Sequence, residues 1–233
     1  MIYNCMRAVL LTICLALLVG GGGVYAWLYY GGFGGEKDVA IAFIDVYGDY
    51  ADVAHTVDQL VHLPGTEGNV DRVELESLLE DMLTGDVGKE RRDTLARLAY
   101  QNVDTLKKEI DAAQTAQAQV YERLQDLDNM ARQFVGVRVR AAAADIVLTA
   151  RTRTELTARI TSILSEINTH THAIVTQILE DEGELTDVHV AAMNAVTQRA
   201  EERHATLASL YDTLLRTSEE LETAMKHFVS IAL

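Results

Sequence analysis

The sequence predicts an all-α protein, in which an N-terminal transmembrane helix precedes an elongated antiparallel helical bundle with coiled-coil-like seams. Three observations lead to this fold class. Residues 8–30 carry no charge, Pro64 is the only proline among 233 residues, and apolar side chains recur every three or four positions through much of residues 99–228. Helix interiors tolerate proline poorly, and a 3.5-residue repeat is typical of helices that pack along a shared seam.

The composition indicates a folded, acidic protein. Apolar residues make up 48% of the chain, enough for one sizeable domain or two small ones, and 35 acidic against 20 basic residues give a formal charge of −15. Nucleic acid and anionic lipid require clustered Lys and Arg, so neither is expected to bind the bulk of the chain. Both cysteines, Cys5 and Cys14, lie near the N-terminus, which leaves the rest without a disulfide or a thiolate metal site.

The N-terminal segment, residues 1–30, is predicted to be a membrane anchor. Its uncharged run from Ala8 to Tyr30 would span about 34 Å as a helix, against a hydrocarbon core of about 30 Å. The outer end of the run carries Tyr25 and Trp27 as well as Tyr30, amphipathic rings of the kind found at the headgroup level. These features predict a single-pass protein that contacts the lipid bilayer through this span.

The charges that flank the span set its expected orientation. Arg7 precedes it, which favours a cytoplasmic N-terminus and an extracytoplasmic bulk. The alternative is a secretory signal, with Arg7 before an apolar core at 8–19 and a cleavage site at 24–26, so that the mature protein is secreted. The single positive charge, and the large Trp27 directly after the cut, favour retention of the span.

Residues 31–36 are predicted to be a flexible hinge. Gly31, Gly32, Gly34 and Gly35 place four glycines in five residues, and each costs roughly 1 kcal/mol relative to alanine in a helix. A phosphate-binding loop would need a preceding strand and a Gly-Lys-Ser/Thr ending, which the sequence GGEKD lacks. The interpretation is therefore a joint between anchor and bundle.

Residues 37–86 are predicted to form two short helices. A loop at 63–71, rich in helix breakers, separates a first helix at 37–62 from a second at 71–85. The apolar positions assigned to the first helix are Ile41, Ile44, Tyr47, Val53, Val57 and Leu60.

Residues 87–233 are predicted to form three long helices, each with an apolar seam at alternating three- and four-residue steps. Gln117 is the one polar residue in the first seam, where it could specify register with a facing residue or lie at a solvated edge. The seam residues are Val103, Leu106, Ile110, Val120, Leu124 and Leu127 in the first helix, Ile160, Ile163 and Ile167 in the second, and Leu207 and Leu214 in the third.

The repeat slips between residues 134 and 146, where Gly136 is the only helix breaker. One interpretation is a continuous helix over residues 89–181, roughly 140 Å long. The favoured interpretation is a bend at 134–139, because it divides the chain into three helices of nearly equal length, as an antiparallel bundle requires.

The sequence offers little chemistry beyond packing, so no catalytic, cofactor-binding or metal-binding residue is predicted, and no small-molecule substrate is expected. Glu201 and His204 have the Glu-x-x-His spacing of di-iron bundles, but a second such pair is lacking. His170 lies on the seam of the second long helix, where a histidine hydrogen-bonded to a neighbour is the ordinary interpretation.

The pattern favours a non-enzymatic role. We expect a membrane-anchored scaffold or tether, or an accessory subunit of a membrane complex, that binds a protein partner or itself through its helices. The alternatives are an extracytoplasmic helical-bundle sensor or ligand-binding domain and a metal protein with its site in the bundle core.

Overall fold

The computed structural model describes residues 32–61, 89–181 and 186–233, and these contain four α-helices. No strand occurs in these ranges, so the prediction of an all-α helical bundle is confirmed. The helices are α1 (Gly32–Leu60), α2 (Lys89–Ala131), α3 (Val137–Glu180) and α4 (Asp187–Ala232).

Three predicted elements, the anchor at 8–30, the loop at 63–71 and the short helix at 71–85, lie outside the described residues. Within the ranges that the structure describes, no helix combines the length and the apolar character needed to cross a membrane. The transmembrane helix therefore stays a prediction from the sequence.

The four helices pack in an antiparallel order, α1 against α2, α2 against α3 and α3 against α4. At 1.5 Å per residue, the 43, 44 and 46 residues of α2 to α4 make helices of about 65 to 69 Å, whereas the 29 residues of α1 reach about 43 Å. We call the end that holds the start of α1, residues 132–136 and the end of α4 the proximal end. The opposite end, with the start of α2 and the α3–α4 connection, is the distal end.

The chain turns between α2 and α3, so residues 89–181 form a hairpin and not one long rod. The helix stops at Ala131, and Gly136 occupies the N-cap of α3 with extended backbone angles, φ −63° and ψ 121°. The bend lies where the three- and four-residue repeat of the sequence slips. A slip is expected at such a bend, because the seams of two antiparallel helices need not share one register.

The start of α1 differs from the sequence prediction. The helix begins at Gly32 and includes Gly34 and Gly35, whereas the sequence predicted a non-helical hinge over these residues; Gly31 lies outside the described part. The backbone N–H of Gly136 donates to Glu36 Oε1 at 2.6 Å. This tertiary contact holds the first turns of α1 against the bundle. It offsets the low helix propensity of glycine, on which the predicted hinge was based.

The buried face of α1 agrees with the predicted one in part, since Val57 is buried and Ile44, Tyr47, Val53 and Leu60 are partly buried against the core. Ile41 was assigned to the apolar stripe but is 45% exposed. A second series at alternating three- and four-residue steps is the one that faces the other helices. It consists of Ala40, Phe43, Tyr47, Tyr50, Ala54, Val57 and Val61, all buried except the partly buried Tyr47.

The core contains a large cluster that reaches the proximal end and a smaller one near the distal end. At the proximal end, the Phe43 ring lies 5.7 Å from Phe134 and 4.9 Å from Phe228, so α1, α4 and the turn between α2 and α3 meet around three phenyl rings. Of the predicted seam residues, Ile167 and Leu207 are partly buried against the core. The others are buried: Val103, Leu106, Ile110, Val120, Leu124, Leu127, Ile160, Ile163 and Leu214.

Helix α3 is buried along two seams because it lies between α2 and α4. The predicted isoleucine seam is one of them, and the second contains threonines that interrupt its apolar character. Their hydroxyls donate to the carbonyl four residues earlier, as Thr154 does to Ala150 at 2.8 Å and Thr161 to Thr157 at 2.9 Å. This local bond satisfies each hydroxyl, which allows threonine in the interior of the bundle.

Candidate functional site

The most distinctive side-chain arrangement in the described residues is a set of buried and half-buried polar groups that connects all four helices. Each member comes from a helix that sequence periodicity predicts, but from positions beside or within the apolar seams. We call this set the polar layer: Tyr50 and Asp58 in α1, Gln117 in α2, Arg153 and Thr154 in α3, and Ser218 in α4.

Arg153 is the centre of the polar layer. Its Nη2 donates to Asp58 Oδ2 in α1, and its Nε donates to Ser218 Oγ in α4 at 3.2 Å. The side chains of Arg153 and Asp58 are only 13% and 11% exposed. One guanidinium therefore connects three helices through charge-assisted hydrogen bonds in a place that water reaches poorly.

Tyr50 and Gln117 extend the layer around α3. The Tyr50 hydroxyl lies 3.0 Å from the Ala150 carbonyl, to which it donates, and 3.1 Å from Thr154 Oγ1. From the other side, Gln117 Nε2 donates to the Thr154 carbonyl at 3.3 Å. Gln117 is thus bound to a facing helix and is 8% exposed, so the register interpretation fits it better than the solvated-edge interpretation.

The electrostatics of the layer are those of charges removed from water. Desolvation by burial raises the pKa of Asp58 although the Arg153 guanidinium acts to lower it. Burial likewise raises the pKa of the Tyr50 hydroxyl. Asp58 Oδ1 and Gln117 Oε1 are buried without a hydrogen-bond partner among the described residues, which adds a desolvation cost to the layer.

The chemistry that this arrangement supports is recognition between helices. Its charged and polar groups bond mainly to one another and to backbone carbonyls. A buried ion pair adds little net stability compared with apolar packing, but it strongly disfavours any helix arrangement that leaves one charge alone. We therefore interpret the polar layer as the feature that selects the position of α1 on the bundle.

A shallow depression lies between α3 and α4, lined by Glu166, Ile167, His170, Val196, Arg199 and Arg203. Its cavity volume of about 10 Å³ is room for roughly one water molecule. His170 Nε2 is 3.4 Å from Arg199 Nη1, and Arg203 forms an ion pair with Glu166 at 3.4 Å. His170 is therefore a partly buried histidine beside a polar neighbour at the edge of the core.

The structure does not bring the metal candidates together. Glu201 and His204 are both exposed on α4. His189, near the start of this helix, completes its capping box, in which the Thr186 hydroxyl accepts from the His189 N–H. No group of three His, Cys, Asp or Glu side chains that could hold a metal occurs within residues 32–61, 89–181 and 186–233.

Sequence reasoning missed most of the polar layer. Asp58 and Arg153 lie 95 positions apart in the sequence. Asp58 directly follows the buried Val57, and Arg153 directly precedes the buried Thr154. A charged residue next to a seam position ordinarily faces water. The sequence did contain one signal, the regular series from Ala40 to Val61 that forms the buried face of α1. This series includes Tyr50, and Asp58 directly follows its member Val57. The anchor residues Ala8, Tyr25, Trp27 and Tyr30 lie outside the described part of the chain.

Comparison with known proteins gives no relative, because no protein-family model, curated protein or solved structure matches this chain.

Proposed function

We propose that this protein is a membrane-anchored scaffold or tether, in which residues 8–30 stay in the bilayer and the helical bundle binds a protein partner or a second copy of the chain. The bulk of the protein would be extracytoplasmic, as the charges around the predicted span suggest.

The position of α1 is the observation that carries this proposal. The residues that follow the predicted span enter α1 at the proximal end, where Glu36 binds Gly136. From there α2, α3 and α4 extend for about 65 Å or more. Such an arrangement supports a spacer that holds a binding surface at a fixed distance from its point of attachment.

The continuity of the core supports the same conclusion. Buried residues at the proximal end, such as Phe228 in α4, and near the distal end, such as Ile178 in α3, are part of helices that run the whole length of the bundle. Closely packed interiors transmit strain and resist bending. A partner bound at the distal end would therefore be held at nearly the full length of the helices.

The first experiment tests retention of the anchor. Membranes that contain the full chain are washed with alkaline carbonate, and the N-terminus of the pelleted protein is sequenced. We expect the protein in the pellet with a sequence that begins at or next to Met1. A mature chain that begins at Trp27, or that washes into the supernatant, contradicts the proposal.

The second experiment tests protein contact. Photo-crosslinking amino acids are placed at Leu148 and Leu215, which are 62% and 50% exposed, in the full chain in its native membranes. We expect discrete adducts with one protein or with a second copy of the chain. The matched control combines each crosslinker with Ile110→Asp, which disrupts the core, and adducts that persist there are unrelated to the bundle.

An extracytoplasmic sensor is the second candidate, and the helical start of α1 favours it. Signalling by helix displacement needs a stiff connection to the membrane, and Gly32, Gly34 and Gly35 are helical. Replacing these three glycines with alanine separates the two proposals. A tether that depends on angular freedom should then crosslink its partner less, whereas a sensor should keep or strengthen its response.

A further inference from the structure

The proximal end of the bundle differs in chemistry from the rest of the molecule, and we propose that it rests on the surface of an anionic lipid bilayer. This inference rests on the membrane anchor of the proposed function. It adds a second membrane contact, made by the folded bundle itself, and it assigns residues to that contact.

The first argument is the exposure of apolar side chains at this end. Val135 in the α2–α3 turn and Val137 at the start of α3 are 79% and 82% exposed, the largest values among the large apolar residues that the structure describes. At the end of α4, Ile231 and Leu233 are 39% and 55% exposed. Since Phe228 lies level with Phe134, at 5.5 Å between rings, Leu233 extends about 7.5 Å farther in the proximal direction.

The second argument is charge. Between residues 132 and 144 there are three arginines, Arg132, Arg138 and Arg140, and no acidic residue, in a chain whose formal charge is −15. Arg132 pairs with Asp128 at 2.6 Å, whereas Arg138 and Arg140 are exposed and form no salt bridge with the described residues. Exposed arginine beside exposed valine is the combination that an anionic membrane interface attracts.

The third argument is the length of the connecting chain. Glu36 binds the backbone of Gly136, and it lies six positions after Tyr30, the last residue of the predicted span. Even a fully extended chain covers at most about 22 Å over six positions. The α2–α3 turn is therefore held within reach of the headgroup layer whenever the anchor is inserted, and Val135, Val137, Arg138 and Arg140 are the groups that meet it.

The test uses the full chain with Cys5 and Cys14 replaced by serine and one new cysteine for an environment-sensitive fluorophore. Val137→Cys reports on the proximal end. Val188→Cys is the matched control, because Val188 is also exposed, at 73%, but lies at the distal end, about 65 Å away along α3. Both proteins are reconstituted in vesicles of phosphatidylcholine and phosphatidylglycerol that contain nitroxide-labelled lipid, and helicity is checked by circular dichroism.

We expect the nitroxide lipid to quench the label at Val137→Cys and to leave the label at Val188→Cys unchanged. Equal quenching at both positions in protein that floats with the vesicles would overturn the lipid contact and leave the anchor intact. Protein that does not float with the vesicles would refute the anchor, and the lipid contact with it.

A charge reversal tests the role of the arginines. In the Val137→Cys background, replacing Arg138 and Arg140 with glutamate should reduce the quenching in vesicles that contain phosphatidylglycerol. The same replacement of Arg151 and Arg159, exposed residues farther along α3, is the control and should leave it unchanged. Equal losses in both pairs would show that the proximal arginines have no special contact with lipid.

Discussion

Replacing Arg153 with methionine should destabilise the bundle more than any single change of an exposed charge. The substitution keeps most of the side-chain volume but leaves the Asp58 carboxylate buried without its cation. Removing one partner of a buried ion pair lowers the free energy of unfolding by about 3 to 5 kcal/mol. We expect the lower end of this range, because 13% of the Arg153 side chain and 11% of the Asp58 side chain still contact water.

The loss of the hydrogen bond from Arg153 to Ser218 does not change this estimate greatly. Ser218 loses the Arg153 donor but keeps its own hydrogen bond to the Leu214 carbonyl at 2.9 Å, so its hydroxyl is not left unsatisfied. A loss of about 3 kcal/mol is a large part of the 5 to 15 kcal/mol that stabilises a typical domain. The free energy of unfolding of a small protein falls by about 1 to 3 kcal/mol per molar urea, so the midpoint of urea unfolding should fall by about 1 to 3 M.

The assay is urea unfolding of the full chain in mild detergent at neutral pH, followed by circular dichroism. Arg159→Met on the same helix is the control and should change stability by less than about 0.5 kcal/mol, because Arg159 is exposed. The double variant Arg153→Met with Asp58→Leu should recover most of the loss, since no buried charge remains. The reasoning is refuted if Arg153→Met behaves like Arg159→Met, or if the double variant is as unstable as the single one.

Three further predictions concern single positions. Tyr50→Phe should lower the free energy of unfolding by about 1 kcal/mol at neutral pH. The native protein should lose stability above about pH 10, because burial raises the folded-state pKa of Tyr50 and the unfolded chain therefore releases its proton first; Tyr50→Phe should lose less. Urea unfolding at both pH values checks this, and Tyr121→Phe, at an exposed ring, is the control that should show neither effect. Gly48→Ala should raise the free energy of unfolding by about 0.5 to 1 kcal/mol, because a Cβ at this position of α1 meets no atom within 4 Å; a lower urea midpoint would contradict this. Ile110→Asp should abolish cooperative thermal unfolding, because Ile110 is 5% exposed and the new carboxylate has no partner, whereas Leu148→Asp at an exposed position should retain a native melting curve.

Some parts of the fold follow from the sequence because they depend on local patterns. The seam from Val103 to Leu127 is apolar at nearly every step, so its burial could be predicted from spacing alone. The turn at Gly136 was predictable for a similar reason, since the repeat slips there and glycine breaks helices. These features need no knowledge of which helix packs against which.

Other parts depend on contacts between distant residues. The second seam of α3 was hidden because its threonines look like surface residues until their bonds to the preceding turn are known. Ile41 was assigned wrongly because Ile41 and Phe43 both suit a core, and only the rings of Phe134 and Phe228 decide between them. The pairing of Asp58 with Arg153 joins parts of the chain that local periodicity cannot relate.

The side-by-side packing of α1 has a mechanical consequence. A force that pulls on the start of α1, along the bundle axis, would load the helix in shear against its neighbours. Under such a load, the Glu36 contact near the start of α1 and the Asp58 contact near its end must resist together and cannot give way one after another. The pull would thus be borne by α1 as a whole, while the distal end of the bundle carries almost none.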